Sequence, residues 1–315
     1  MKLSNLLFTI PFILLWAGCS EDTTEILNPE PNPLVTPTLP TEIGQHDLTV
    51  QWQGIDRTVL INIPDGYDES GAHSLIFFLH GGSGNAYAMM SGHGNFVAGT
   101  ESANIILVAP QGTLTHSGSG YRWNSWDDDN TTDDVGFLAA LMEWLTEGLA
   151  IDESRRFITG FSNGAAMSQR FAAEQPEMIL AAAAVCHTTG YTYTPEKGGG
   201  RFDLPTPVLP ISILTIRGGA DQTIPPTKTP TNKGKIIDTP AEQVTFWLNA
   251  SNCDNTDFTE ETPETGVTTR RYETCDDNQV VHSWFSEALV HTWPNHPSQY
   301  GLNVNQIVLE FFMER

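Results

Sequence analysis

Two stretches of alternating apolar and polar residues open the ordered pattern of this chain. They are residues 47–52 (D-L-T-V-Q-W) and 57–63 (R-T-V-L-I-N-I), and they flank Gln53-Gly54-Ile55-Asp56. Period two on both sides of a glycine-containing turn predicts a β-hairpin. Residues 74–79 (S-L-I-F-F-L) form an unbroken apolar run, as expected of a central parallel strand covered on both faces. Residues 105–109 repeat that pattern and stop at Pro110-Gln111-Gly112. A stripe of Phe137, Leu138, Leu141, Trp144 and Leu145 at three-four spacing predicts a helix over 133–149. Residues 156–159 read as the end of a strand, and 163–174 as a helix rich in Ala, Met and Gln. Further strands are expected at 179–185, 211–216, 268–274 and 280–285. A helix starts at the capping box Thr239-Pro240-Ala241-Glu242, and a last one covers 303–313. Strands alternating with helices predict an α/β domain over 44–315, a doubly wound and mostly parallel sheet with antiparallel strands at its N-terminal edge. No internal repeat is evident.

The first 43 residues break this pattern. Lys2 precedes an apolar run from Leu3 to Trp16, and Ala17-Gly18-Cys19 follows. A short apolar core ending in small residues predicts a signal peptide over 1–18, and Cys19 after Ala-Gly is a candidate lipidation site. That order predicts an exported protein, lipid-anchored to a bacterial outer membrane, facing the periplasm or the cell surface, or else simple secretion. Residues 19–43, with N-P-E-P-N-P-L-V-T-P-T-L-P inside them, predict an extended tether. The chain ends at Arg315 just after its last predicted helix, so no added polymer-binding module is expected.

Charge narrows the partners. Against 38 acidic residues stand 15 basic ones, net −23 over 315 residues. Such a surface repels nucleic acid and anionic membranes and disfavours polyanionic substrates. No membrane contact is expected beyond the lipid anchor, and a monomer is expected. No spacing of Cys and His fits zinc, and no phosphate or dinucleotide fingerprint occurs, so no metal or cofactor is expected. The run Asp127-Asp128-Asp129-Asn130-Thr131-Thr132-Asp133 lacks the glycine and distal Glu of a calcium loop and reads as a solvated approach to a helix.

The chemistry gathers around Gly160-Phe161-Ser162-Asn163-Gly164, a G-x-S-x-G between a strand and a helix. That context suits a nucleophile elbow, in which small flanking residues let a strained turn lift Ser162 above the sheet. A serine needs a base. His282 lies inside the apolar strand V-V-H-S-W-F and reads as packing, whereas His291 stands on a loop beyond that strand and is the candidate base. For the acid, Asp221 lies just past the strand I-S-I-L-T-I, on the same rim as Ser162, while Asp238 precedes a capped helix and reads as structural. Oxyanion donors are expected from the N–H of Asn163 and from His80-Gly81-Gly82-Ser83-Gly84, with Gly82 the first choice and Ser83 the alternative. Trp293, Trp123 and Trp126 either wall an aromatic acyl pocket or pack loops on the sheet.

In order, L-H-G-G-S-G at 79–84, D-D-V-G-F-L at 133–138, T-G-F-S-N-G-A-A-M at 159–167, G-G-A-D at 218–221 and H-T-W-P at 291–294 resemble the secreted polyhydroxybutyrate depolymerase and feruloyl esterase family of α/β-hydrolases. The resemblance spans roughly 45–315. It implies an α/β-hydrolase fold, a triad of Ser162, Asp221 and His291 without a cofactor, and a disulfide between Cys253 and Cys275. Cys186, ending an apolar strand, is expected to stay a free buried thiol. The chain departs from the family's pattern at Leu289-Val290, before the histidine, and at Arg217-Gly218-Gly219, before the acid. The implied activity is that of a carboxylic ester hydrolase, a feruloyl or acetyl esterase acting on plant or algal polysaccharide fragments. The alternatives are a polyhydroxybutyrate depolymerase, a serine peptidase, or a non-catalytic glycan-binding surface lipoprotein.

Overall fold

The computed structural model describes residues 34–92, 96–115, 117–126 and 132–315. The expected leader, Cys19 and most of the expected tether lie outside these residues, as does the acidic stretch 127–131. In chain order the elements are β1 (Gly44–Trp52), β2 (Ile55–Ile63), β3 (His73–Leu79), α1 (Ala86–Gly92), α2 (Phe96–Ser102), β4 (Ile106–Pro110), β5 (Thr113–Leu114) and β6 (Tyr121–Arg122). Then come α3 (Asp134–Gly148), β7 (Ile151–Phe161), α4 (Asn163–Glu174), β8 (Ala181–Val185), β9 (Gly190–Tyr193), β10 (Arg201–Asp203) and β11 (Ser212–Gly218). The chain continues through β12 (Lys235–Ile237), α5 (Pro240–Ala250), β13 (Thr259–Glu261), β14 (Val267–Tyr272), β15 (Val281–Ser286) and α6 (Val304–Met313).

The main sheet runs β1-β2-β4-β3-β7-β8-β11-β15-β14-β13. Its centre, from β4 to β15, is parallel, and both edges are antiparallel. The hairpin β1–β2 turns on Gln53 and Gly54, both at positive φ, the geometry that matches strand twist in a two-residue turn. Burial on both faces explains the continuous apolar run of β3. Leu75, Phe77 and Leu79 join a core with Phe137, Leu138 and Leu141 of α3, while Ile76 and Phe78 join a second core with Phe96 of α2 and Phe311 and Phe312 of α6. Removing each such side chain from water contributes about 2 kcal/mol.

Several features depart from the sequence pattern. The antiparallel pair β13–β14 extends the C-terminal edge, and a separate sheet β10-β9-β12 forms from strands of three or four residues. Runs that short carry too little periodicity to read. The described end of the expected tether is not a free spacer. Val35 exchanges both backbone hydrogen bonds with Gln51, at 2.9 and 2.8 Å, and Leu34 and Leu39 pack on the first core. Leucines among the prolines supply the apolar area that docks this segment.

Cys253 and Cys275 form a disulfide, and Cys186 is a buried free thiol. The bridge ties the end of α5 to the edge strands across a separation of 22 residues. In the chain-entropy account, closing a loop of that length stabilises by about 3 kcal/mol. Replacing both cysteines by alanine is therefore expected to lower Tm by roughly 6–12 °C, given the usual conversion for a domain of this size. Thermal unfolding of the double variant checks this, and an unchanged Tm would show that the bridge constrains nothing.

Candidate active site

The elbow is built by close backbone approach. Ser162 follows β7 with φ 53° and ψ −118°, a conformation that costs of order 1–3 kcal/mol for a residue with a Cβ. Two glycines make the turn possible. A Cβ on Gly160 would lie 2.6 Å from the Gly164 carbonyl carbon, and one on Gly164 would lie 2.3 Å from the Leu79 oxygen. The Ser162 N–H donates to the Val185 carbonyl at 2.9 Å, which anchors the turn to β8. α4 begins at Asn163, so its positive end faces the hydroxyl.

His291 reaches this serine from the loop after β15. Its Nδ1–H donates to Asp221 Oδ2 at 2.8 Å, which leaves Nε2 to accept the Ser162 hydroxyl, also at 2.8 Å. The other carboxylate oxygen of Asp221 accepts the N–H groups of Thr223 and Ile224 at 2.8 and 2.9 Å. The buried carboxylate is thereby held in one orientation and fully hydrogen-bonded. Asp238 is engaged elsewhere: it pairs with Arg201 and Lys228 just before the capping box of Thr239 and Glu242. His282 sits in β15 among Trp284 and Phe311, and burial pushes its pKa down to about 4.

The loop after β3 faces the elbow. A Cβ on Gly82 would stand 3.5 Å from the Asn163 Cβ. The Ser83 N–H donates to the Tyr121 carbonyl at 2.8 Å, so Ser83 is not available as an oxyanion donor. Among the described residues, the backbone hydrogen bonds of this loop leave the Gly82 N–H without an acceptor, and Asn163 carries one of the unpaired N–H groups of a first helical turn.

All three tryptophans turn out to be buried packing residues. Trp123 is fully buried between His80 and Arg57, and its indole N–H donates to the His80 carbonyl at 3.1 Å. Trp293 donates to Asn305 Oδ1 at 2.7 Å and packs edge-on against Phe78 and Phe96. Trp126 packs against Tyr191 and Phe202 and meets His187 edge-on in a small cluster beside β9. A tryptophan next to the site in sequence can point beneath the sheet, and no spacing in the chain tells the two directions apart.

Sequence reading missed the groups that hold the site. The Asn163 side chain clamps the Trp123 backbone, accepting its N–H at 2.7 Å and donating to its carbonyl at 3.1 Å. His80 donates to the Gly81 carbonyl at 2.8 Å and accepts the Gly112 N–H at 3.0 Å, bracing the glycine loop. Arg217, fully buried, donates to the Ile224 and Pro225 carbonyls at 3.4 and 3.2 Å behind Asp221, and burial lowers its pKa to about 10. Arg57 and Asp134 form a buried ion pair that also holds the Gln111 carbonyl and the Asn124 N–H. Asn163, His80 and Asp134 fall within the quoted motifs, Arg217 at a departure from them and Arg57 outside them, and none of these patterns shows what the side chains hold. Cys186 lies against the triad, its thiol donating to the Thr292 carbonyl at 3.4 Å, and burial raises its pKa to about 12. It clusters with Asp221 and His291, but a thiol that keeps its proton is a poor metal ligand.

The hydrogen-bonded series Ser162–His291–Asp221 at a strained elbow, on a sheet of this order, has the arrangement of the α/β-hydrolase fold. No family model matches the chain. It is similar to feruloyl esterase C of Emericella nidulans, 31% identical over 173 residues, which cover 54% of this chain and 56% of that protein. The chain thus spans little more than half the length of the curated relative it matches. Among solved structures it resembles an acetyl xylan esterase from Aspergillus awamori (TM-score 0.52, 18% identity, 82% of this chain and 94% of that one). It also resembles an S-formylglutathione hydrolase from Agrobacterium tumefaciens (TM-score 0.53, 12% identity, 89% and 99%). The structural likenesses show a shared α/β-hydrolase fold.

Two buried histidines beside the site make its stability sensitive to acid. Burial lowers His80 to about 4 and His187 to about 3. Their folded pKa values lie below the unfolded value of about 6.5. The unfolded chain therefore binds the extra protons, and stability falls as pH drops from about 6.5 towards 4, by roughly 3 kcal/mol for His80 alone. Urea unfolding at pH 7 and pH 4.5 is expected to show that loss, with a smaller one in His80→Gln. An equal loss in the variant would remove His80 from the account.

Proposed function

We propose that this chain is a serine carboxylic ester hydrolase that works through an acyl-enzyme. The observation that carries the reading is His291, within hydrogen-bond reach of both Ser162 and Asp221. Ser162 Oγ attacks the ester carbonyl carbon while His291 Nε2 takes its proton. Asp221 keeps the imidazole in the required tautomer and stabilises its charged form. The Gly82 and Asn163 N–H groups meet the oxygen as it becomes an anion, and two preset donors there are worth several kcal/mol of barrier. Collapse expels the alcohol, which takes its proton from His291. Water then attacks the acyl-enzyme by the same proton route, and Ser162 is regenerated.

For the substrate we propose feruloyl or short acetyl esters of plant or algal polysaccharide fragments. The similarity to a feruloyl esterase over half the chain supports this choice. Ser162→Ala is expected to lower kcat/KM on methyl ferulate or a short nitrophenyl ester by about 10⁴-fold or more, with Tm nearly unchanged. The same assay run beside polyhydroxybutyrate film sorts the substrate. Ferulate cleavage without clearing of film is the expected result, and film clearing without ferulate cleavage would restore the depolymerase reading. Activity retained by the alanine variant would remove Ser162 from the mechanism.

A further inference from the structure

A large groove opens away from Ser162. It lies between α5 and the C-terminal strands and has a volume of about 1000 Å³, the upper end of the range for ligand sites. Thr215 and Arg217 of β11 sit in register with Ser283 and Phe285 of β15, and these four make its floor. Thr268 and Arg270 of β14 wall one side, and Val244 and Thr245 of α5 the other. The upper end reaches Gly219, two residues from Asp221.

Three properties of the lining define what it would hold. None of the described residues that line it is Asp or Glu, in a chain of net charge −23. A cationic partner would find its counter-charges elsewhere. The lining alternates hydroxyl groups with apolar surface, with the half-buried ring of Phe285 between Thr268 and Arg217 in register. The floor also carries an unused donor. Arg217 is 1% exposed and spends its Nη groups on Gln243 and on backbone carbonyls, but its buried Nε–H has no acceptor among the described residues. A buried donor without a partner destabilises the fold, and an acceptor brought to it recovers the loss.

From these we infer that the groove is a second, non-catalytic binding site for a neutral oligosaccharide. Sugar hydroxyls supply acceptors for the guanidinium N–H and partners for the Thr and Ser hydroxyls, and the apolar face of a sugar ring lies on Phe285. A lipid or apolar peptide would leave that donor unpaired and the hydroxyl groups desolvated. Binding in the groove does not require Ser162, so the site stands or falls separately from the esterase reading. Arg217 is shared: it lines the groove and holds the Ile224 and Pro225 carbonyls behind the acid.

Affinity electrophoresis and calorimetry on the full chain test the inference, using xylohexaose and cellohexaose, which carry no ester. Ser162→Ala and wild type are expected to bind at least one of them alike. Thr245→Trp, a change on the exposed face of α5 that fills the groove, is expected to weaken binding at least tenfold while leaving Tm and nitrophenyl ester hydrolysis at wild-type values. Phe285→Ala should weaken it in the same direction. Absence of binding to both sugars, or binding that Thr245→Trp leaves intact, would overturn the assignment.

Discussion

The structure rests on backbones coming closer than side chains allow. Ser162 can stand above the sheet only because Gly160 and Gly164 let β7, α4 and the end of β3 meet at contacts that a Cβ would close. The cost of the Ser162 conformation is met by the packing around it: β3 and β8 flank β7, and the Val185 carbonyl takes the serine's own N–H. The same device recurs where acid meets base. A Cβ on Gly218 would lie 2.2 Å from the Leu289 oxygen, and one on Gly219 would lie 2.6 Å from the Glu287 oxygen. The loops carrying Asp221 and His291 are therefore laid one on the other, joined by the Ala220 N–H to the Leu289 carbonyl at 3.1 Å.

This packing accounts for the two departures noted in the motifs. Leu289 is fully buried and fills the second core, so its side chain anchors the histidine loop from below. Arg217 enters a fully buried position by giving its charge to carbonyls and to Gln243, which continues through Gln169 to Trp247 and the Thr188 carbonyl. The result is a polar network beneath the acid loop, in which the Arg217 Nε–H alone, among these groups, has no partner. Such networks stiffen a site when nearly complete and cost stability when broken.

Much of this was legible in the chain. The hairpin, the apolar central strands, the amphipathic α3 and the capped α5 all follow from local periodicity and end signals. The order of Ser162, Asp221 and His291, each just past a strand end, was enough to bring them together, because parallel strands place those ends on one rim. What stayed hidden depends on direction in three dimensions. Trp293 sits two residues from His291 in sequence, yet its ring turns into a core, as does that of Trp123. Ser83 and Gly82 look alike as donors until the Tyr121 carbonyl takes one of them. His80, Arg57 and Arg217 act through contacts 30 or more residues away or through backbone carbonyls, which no local pattern encodes. The strands of the small sheet are too short to show a period.

The central claim is that Ser162 is the activated nucleophile of this relay. The direct measurement is peptide mapping by mass spectrometry after reaction with a fluorophosphonate. A single covalent adduct on Ser162 is predicted, formed far more slowly when His291 is replaced by alanine. An adduct on another residue, or no adduct on folded protein, would contradict the account.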